Sequence, residues 1–403
     1  MALLPVAEAK ARLLSHAVPV QESETVPLAE ANGRVLAQAV TARLTQPPFD
    51  ASAMDGYALR ADDALKVGSE LDVVGVAAAG HPFKGHIREG ETVRIFTGAP
   101  VPDGADTILI QEDAEALEDA RIRTRLAVTR GRHIRPRGQD FAEGEVVLTR
   151  GTRLDYSHLT VAAAMNHPSL PVLRRAKVAI LATGDELLAP GSTPLAGQII
   201  ASNTFGVAAL VRDNGGEVLD LGIVPDRSDA ITAAVEMARA ADVDVLVTLG
   251  GASVGDHDLV QSTLKGAGME LDFWRIAMRP GKPLMVGSLG KMQVLGLPGN
   301  PVASLVCSLL FLEPLVRTLS HLPERRREAD AIAAHDLAAN GQRQDYLRAK
   351  LTAGDGRLLA EAFAKQDSSM MKVLANSDAL IVRPPHAPAL KAGAPCPVLL
   401  LRP

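Results

Sequence analysis

The sequence predicts a multidomain protein of the α/β plus β class: a central α/β domain with a parallel-type sheet, a β-rich second domain and a small β-rich C-terminal domain. Three observations carry this. The segments 178–191 (VAILATGDELLAPG), 221–226 (LGIVPD) and 245–258 (VLVTLGGASVGDHD) are short apolar runs rich in β-branched residues, and each stops at Gly or Pro and then delivers carboxylates. Helical patterns separate them, as expected of parallel strands whose carboxyl ends share one sheet edge. Residues 47–138 differ in character, with short apolar runs (LDVVGVAAA, TVRIFTGAP, DTILIQED, RIRTRLAV) spaced by Gly, Pro and Asp. Finally, 403 residues are too many for one ordinary domain.

Taken in order, 5–17 reads as an amphipathic helix and 27–38 as a second short helix with Gly33 inside it. After the β-rich segment, 157–167 is a helix with Ser157 as N-cap and Pro168 as stop. The α/β unit follows over 175–322, with helices at 203–214, closed by Gly215 and Gly216, at 228–241 and at 258–267. A fourth helix starts at Asn300 and Pro301, an N-cap followed by proline in the first turn, and Pro314 should kink or restart it. Residues 323–330 (PERRREAD) form a polar linker, and 331–403 a terminal β-rich domain.

Composition narrows the function classes. A hydrophobic fraction of 47% with 22% charged residues is that of a soluble globular protein. A net charge of −5 and only 3% aromatics argue against nucleic acid as a partner. Cys307 and Cys396 form neither a zinc motif nor a disulfide framework. The first eighteen residues lack the apolar core of a secretory signal, and the run 302–312 is too short to span a bilayer. The expected compartment is the cytoplasm, with no membrane partner.

The chemistry concentrates on the shared strand edge, where open α/β sheets bind ligands. Asp185, Glu186, Asp226, Asp256 and Asp258 arrive there from three strands, an oxygen-rich set suited to a hard cation such as Mg²⁺. The Gly-rich loop 249–258 is neither a Walker loop nor a GxGxxG fingerprint; its glycines permit close backbone approach and its helix start offers N–H groups to an anion. The loop 297–304 (LPGNPVAS) repeats that logic, although either loop alone also reads as a tight strand-to-helix turn. Arg275, Arg279 and Lys282 form either a solvated basic patch or an oxyanion site. Residues 47–60 crowd small residues around Asp50, Ser52 and Asp55, and 134–145 set Arg135, Arg137 and Asp140 around Pro136 and Gly138. A turn and a salt-bridged linker would also account for them.

Taken together, the strings PPFDASAMDGYA, RIFTGAPVPDGADTILIQED, IRPRGQDF, VAILATGDEL, LGIVPD, TLGGASVGDHD, MRPGKP, LPGNPVAS and QDSSMMKVLANSDALIV resemble the molybdopterin molybdenumtransferases, the family that includes bacterial MoeA and the E domain of gephyrin. The resemblance spans nearly the whole chain. It implies four domains: an elongated discontinuous one (1–46 and 139–174), a β-rich one (47–138), an α/β molybdopterin-binding one (175–322) and a β-barrel-like one (323–403). It implies insertion of molybdenum from molybdate into adenylylated molybdopterin, with Mg²⁺-dependent release of AMP. Asp55, Asp140, Glu186, Asp226 and Asp258 match the family's acidic positions, with Glu186, Asp226 and Asp258 assigned to the metal. Thr183, Gly184, Asp185, Gly250, Gly251, Ser253, Gly255, Arg275, Arg279, Lys282, Pro298, Gly299 and Asn300 are assigned to binding the pterin and its oxyanions. The chain departs from the family at Ala51, where many relatives have Asn, and at Arg275 and Arg279, where some have Lys. The resemblance also implies a homodimer in which Asp55 meets the α/β site of the partner, a separate adenylyltransferase supplying substrate, and molybdoenzyme maturation proteins downstream. Two rivals differ in class. The related adenylyltransferase has a similar α/β domain but lacks the N-terminal part and the C-terminal β domain. A non-catalytic molybdopterin-binding scaffold would not require all five acids, which are present.

Overall fold

The computed structural model describes residues 3–250, 259–354 and 356–402. They form two compact units, Met1–Glu24 with Leu173–Pro403, and Thr25–Val172.

In the first unit, helix α1 (Val6–Ser15) precedes a six-stranded sheet. Its elements are β1 (Lys177–Thr183), α2 (Asn203–Asp213), β2 (Glu217–Val224), α3 (Ser228–Ala240), β3 (Val245–Leu249), α4 (Leu259–Gly266), β4 (Glu270–Arg275), β5 (Pro283–Leu289) and β6 (Met292–Leu297). The strand order is β2-β1-β3-β6-β5-β4. The first four are parallel, while β5 runs against both β6 and β4. The carboxyl end of β4 therefore lies on the same edge as those of the parallel strands.

Both faces of the sheet are covered, which is why β1 and β3 read as unbroken apolar runs rather than alternating ones. Val207 and Val211 of α2 pack with Val178, Ile180, Val245 and Val247 on one face. Ile231, Val235 and Ala238 of α3 and Val260 and Leu264 of α4 pack with Ala179, Leu181 and Leu246 on the other. Helix α1 joins the first of these cores through Val6, Ala9 and Leu13, three positions on one helical face. That contact groups residues 1–24 with the α/β unit and not with residues 25–46.

After β6 the chain enters one long helical run, α5 (Pro301–Cys307), a π turn (Ser308–Leu312) and α6 (Glu313–Leu319). The α-helix restarts at Glu313, next to Pro314, as the proline requires. The run is longer than residues 302–312 suggest: its 19 residues are apolar enough to cross a membrane, but 83% of it is buried inside the protein. It supplies Val302, Phe311 and Leu315 to the core.

The C-terminal part contains β7 (Glu328–Ala333), β8 (Gln344–Gly354), β9 (Arg357–Ala362), α7 (Met371–Ala375), β10 (Ala379–Arg383) and β11 (Pro395–Leu400). The order β8-β9-β7-β11-β10 closes by pairing of β10 with β8, a five-stranded barrel without open edges. The two-residue strand Met278–Arg279 pairs with Gln344 and Asp345 at the start of β8. This pairing sets the basic turn of the α/β part against the barrel.

The second unit holds a mixed six-stranded sheet with Gly56–Leu59 between Thr107–Ile110 and Glu91–Ile95. A separate core joins Val26, Leu36 and Val40 to Phe141, Leu148, Met165 and Leu170. Two local expectations fail here. Residues 27–38 form only a 3-10 turn at Leu28–Glu30. Gly33 then adopts φ of 74°, and Val35 and Leu36 make bridges to Arg153 and Val172. The later helix spans Tyr156–Ala164 and is capped by Asp155, not Ser157: the Asp155 carboxylate accepts from the Ser157 and His158 amides.

Candidate functional site

Strand β1 ends at Thr183 and the chain turns at Gly184, whose φ is 153°. The turn folds the Glu186 carboxylate back so that a Cβ on Gly184 would lie 2.5 Å from Glu186 Oε2. On the neighbouring strand, the Asp226 amide donates to Asp185 Oδ1 at 3.1 Å. Burial raises the Asp226 pKa above the ordinary carboxylate value, and the charges of Asp185 and Glu186 add to the effect. The charges at the end of β1 thus act on the Asp226 carboxylate at the end of the neighbouring strand.

Among the described residues, no three Asp, Glu, His or Cys side chains stand close enough to hold a metal ion between them. Asp258 lies outside the described residues, as do Gly251, Ser253, Gly255 and Asp256. The donor chemistry nevertheless suits Mg²⁺. That ion is held by one or two carboxylates together with waters and substrate phosphates, and a cation here would relieve the charge that Asp185 and Glu186 place on Asp226.

The centre of the edge is backbone. Gly250, at φ of 95°, comes so close to β1 that a Cβ would meet the Thr183 carbonyl at 2.7 Å. A Cβ on Gly299 would lie 3.7 Å from the Gly250 Cα. Gly250 lets the ends of β1 and β3 draw together, whereas the Gly299 contact is ordinary van der Waals packing. Thr183 Oγ1 is buried with no hydrogen-bond partner among the described residues. Asn203 Nδ2 donates to the Gly299 carbonyl at 2.8 Å. Asn300 occupies the N-cap position of α5, after Pro298 and Gly299, but its side chain does not cap. Instead Asn300 Nδ2 donates to Ser368 Oγ at 3.0 Å, and the Val302 amide donates to the Ser368 carbonyl at 3.0 Å. The Val302 amide is thereby already engaged.

The cations stand at the other end of the same edge. Arg275 closes β4 with its guanidinium 4.5 Å from the Trp274 ring centre. Lys282 precedes β5, and Arg279 forms an ion pair with Asp345 of β8. From β2 to β4 is five strand spacings, roughly 24 Å, so the acids and the cations form two ends of one edge.

Arg348, on β8, is a residue that sequence reasoning missed. It is 1% exposed, and burial lowers its pKa, with the nearby Arg279 charge acting in the same direction. Its Nη2 donates to the Asp367 carbonyl at 3.0 Å, while Nε has no partner among the described residues. Its strand, QDYLRAKLTAG, mixes polar and apolar residues, so nothing in the local sequence sets this arginine apart.

The second unit brings two of the sequence strings into one surface. Ser52 and Ala51 pair with Ile134 and Arg135, and the Arg137 amide donates to Asp50 Oδ1 at 2.7 Å. Asp140 lines a cavity of about 490 Å³ with Pro47, Phe49, Ala51 and Arg135. Asp55 Oδ1 accepts from the amide and hydroxyl of Thr97, each at 2.8 Å. These bonds lower its pKa, with a smaller contribution from Arg94, which lies over the Tyr57 and Phe96 rings.

Comparison with known proteins matches three family models in succession. They are the MoeA N-terminal region (domain I and II) over residues 4–166, a probable molybdopterin binding domain over 179–318, and the MoeA C-terminal region (domain IV) over 330–401. A molybdopterin molybdenumtransferase of Nostoc sp. is 35% identical over 99% of this chain and 94% of its own length. One of Bacillus subtilis is 33% identical, again over 99% and 94%. The crystal structure of a molybdopterin biosynthesis MoeA protein from Pyrococcus horikoshii superposes with a TM-score of 0.83 at 28% identity, covering 100% of both chains.

Proposed function

Since this chain belongs to the molybdopterin molybdenumtransferase family, we propose that it is the transferase that inserts molybdenum from molybdate into adenylylated molybdopterin, releasing AMP, in molybdenum cofactor biosynthesis. The observation that carries this reading is the single sheet edge with acids at one end, close-packed glycine turns in the middle and cations at the other.

Each end has its own task. Glu186 and Asp226 would hold Mg²⁺, with Asp258 assigned to the same ion by the resemblance. Bound there, Mg²⁺ supplies neutralisation of phosphate charge for cleavage of the phosphoanhydride. Thr183, Gly250 and Gly299 let the substrate approach the backbone. Arg275, Arg279 and Lys282 hold molybdate or substrate phosphate through charge-assisted hydrogen bonds. Asp55, whose pKa the Thr97 hydrogen bonds lower, and Asp140 position substrate or carry protons. The working form is a homodimer in the cytoplasm, supplied by a separate molybdopterin adenylyltransferase and delivering its product to molybdoenzyme maturation proteins. The test is incubation of purified protein with adenylylated molybdopterin, Mg²⁺ and molybdate, following AMP release and formation of active cofactor. Absence of AMP release across a Mg²⁺ titration would overturn the reading.

A further inference from the structure

The linker 323–330 looks solvated in sequence, but its Arg327 is not. Arg327 Nε and Nη2 donate to the two oxygens of Glu313 at 2.7 and 2.6 Å, and the two side chains are 10% and 4% exposed. Arg327 Nη1 also donates to the carbonyls of Leu400 and Leu401, at 2.8 and 2.9 Å, at the end of the last barrel strand. Asn214, after α2, donates to Glu313 Oε2 at 3.3 Å and accepts from Arg317 Nη1 at 3.0 Å. One buried cluster therefore ties α2, α6, the linker and the barrel together.

This cluster and the candidate site occupy opposite ends of one helical run. Asn300 and Glu313 are thirteen residues apart, roughly 20 Å along a helix. At the Asn300 end, Ser368 of the barrel segment holds the start of the run by the two hydrogen bonds it accepts from Asn300 and Val302. Gln366 fixes that segment to the barrel: its Oε1 accepts from the Arg348 amide at 2.9 Å and its Nε2 donates to the Arg348 carbonyl at 3.0 Å. Between the two attachments lies a groove of about 690 Å³ lined by Leu210, Leu305, Leu309, Leu374 and Leu401. Elsewhere the barrel shares the apolar core of the run through Tyr346 and Leu380; at the two ends of the groove the polar attachments join helix and barrel.

We infer that Glu313 and Arg327 are positioning residues for the oxyanion end of the site: they seat the barrel so that Ser368 meets the start of α5 and Asp345 meets Arg279. The inference rests on the proposed function, but its structural half has a separate readout, because the Val302 amide reports directly on the Ser368 contact. Two variants of the full chain test it. R327K keeps the charge and loses the fork. The double variant E313M/R327M removes both members of the pair, so neither is left facing the other's vacated place, while buried Arg317 keeps its bonds to Asn214 and the Pro323 carbonyl. In both, exchange of the Val302 amide with deuterium should accelerate at least tenfold, while amides of β1 and β3 keep their protection. Half-saturating molybdate should rise at least tenfold with AMP release at saturating molybdate within twofold of the parent. Unchanged Val302 exchange and unchanged molybdate dependence in the double variant would overturn the inference. So would failure of both variants to fold, which would make the pair a folding element. If the parent protein releases no AMP, the functional reading fails, while the exchange result still decides the role of the pair.

Discussion

Replacing Arg279 by Ala probes the basic end, and the structure separates two effects. Arg279 is paired with Asp345, whose side chain is 5% exposed while that of Arg279 is 58% exposed. Arg279→Ala therefore removes a forked donor from the edge and also strands a buried carboxylate. A hydrogen bond to a charged group is worth about 1.5–3 kcal/mol, so half-saturating molybdate should rise about ten- to a hundredfold. Breaking a fully buried pair costs about 3–5 kcal/mol. Because Arg279 is more than half exposed, the stability loss here should be about 1–2 kcal/mol after allowance for solvent screening. The double variant Arg279→Ala, Asp345→Asn should recover most of that stability without recovering molybdate affinity. Arg279→Lys should recover much of the charge effect but not the fork. The assay is a molybdate titration of cofactor formation for all four proteins, alongside urea denaturation. If half-saturating molybdate is the same in all four, these residues are a solvated patch and the assignment falls.

At the acidic end, Asp226→Asn should sharply reduce Mg²⁺-dependent AMP release while leaving the metal-free protein at least as stable, because it relieves repulsion from Asp185 and Glu186. The folded pKa of Asp226 is raised above 3.8, so its penalty is absent below the unfolded value, and stability falls as pH rises through the folded one. Melts of the metal-free protein against pH should flatten in Asp226→Asn. Gly184→Ala places a methyl group where the Glu186 carboxylate lies, so Mg²⁺ dependence should shift to higher concentration in a protein that still folds by circular dichroism. Thr97→Val removes one of the bonds that lower the Asp55 pKa, and the acid limb of the pH–rate profile should move upward. If the site is shared across a homodimer, mixing Asp55→Ala with Asp258→Ala subunits should restore activity. No gain in verified heterodimers would count against sharing.

The elements that sequence made legible are those whose signal is local. Burial on both faces writes β1 and β3 as continuous apolar runs, and the periodicity of 228–241 emerges as α3. Residues 27–38 misled because Val35 and Leu36 pair instead by bridges to the distant Arg153 and Val172. The site was legible string by string, since TGDEL, LGIVPD and MRPGKP each end or begin a strand. Asp345 and Arg348 were not, because nothing near them in sequence marks them, and Ser368, although inside the QDSSMMKVLANSDALIV string, meets a partner at Asn300 that is 68 residues away. Their place follows from the pairing of Met278 and Arg279 with β8 and from Gln366 folding its segment back onto Arg348. Thr97 sits inside the RIFTGAPVPDGADTILIQED string, but the carboxylate it holds is 42 residues away, and the string alone does not show that pairing.

The order of strands along the edge has an electrical consequence. In physiological salt, charges screen one another within about 8 Å, and the two ends of this edge lie roughly three such lengths apart. Neither end senses the state of the other through its field alone. Defects made at the two ends should therefore combine as independent free energies, their rate losses multiplying, and any departure from that product would measure communication carried by the bound substrate itself.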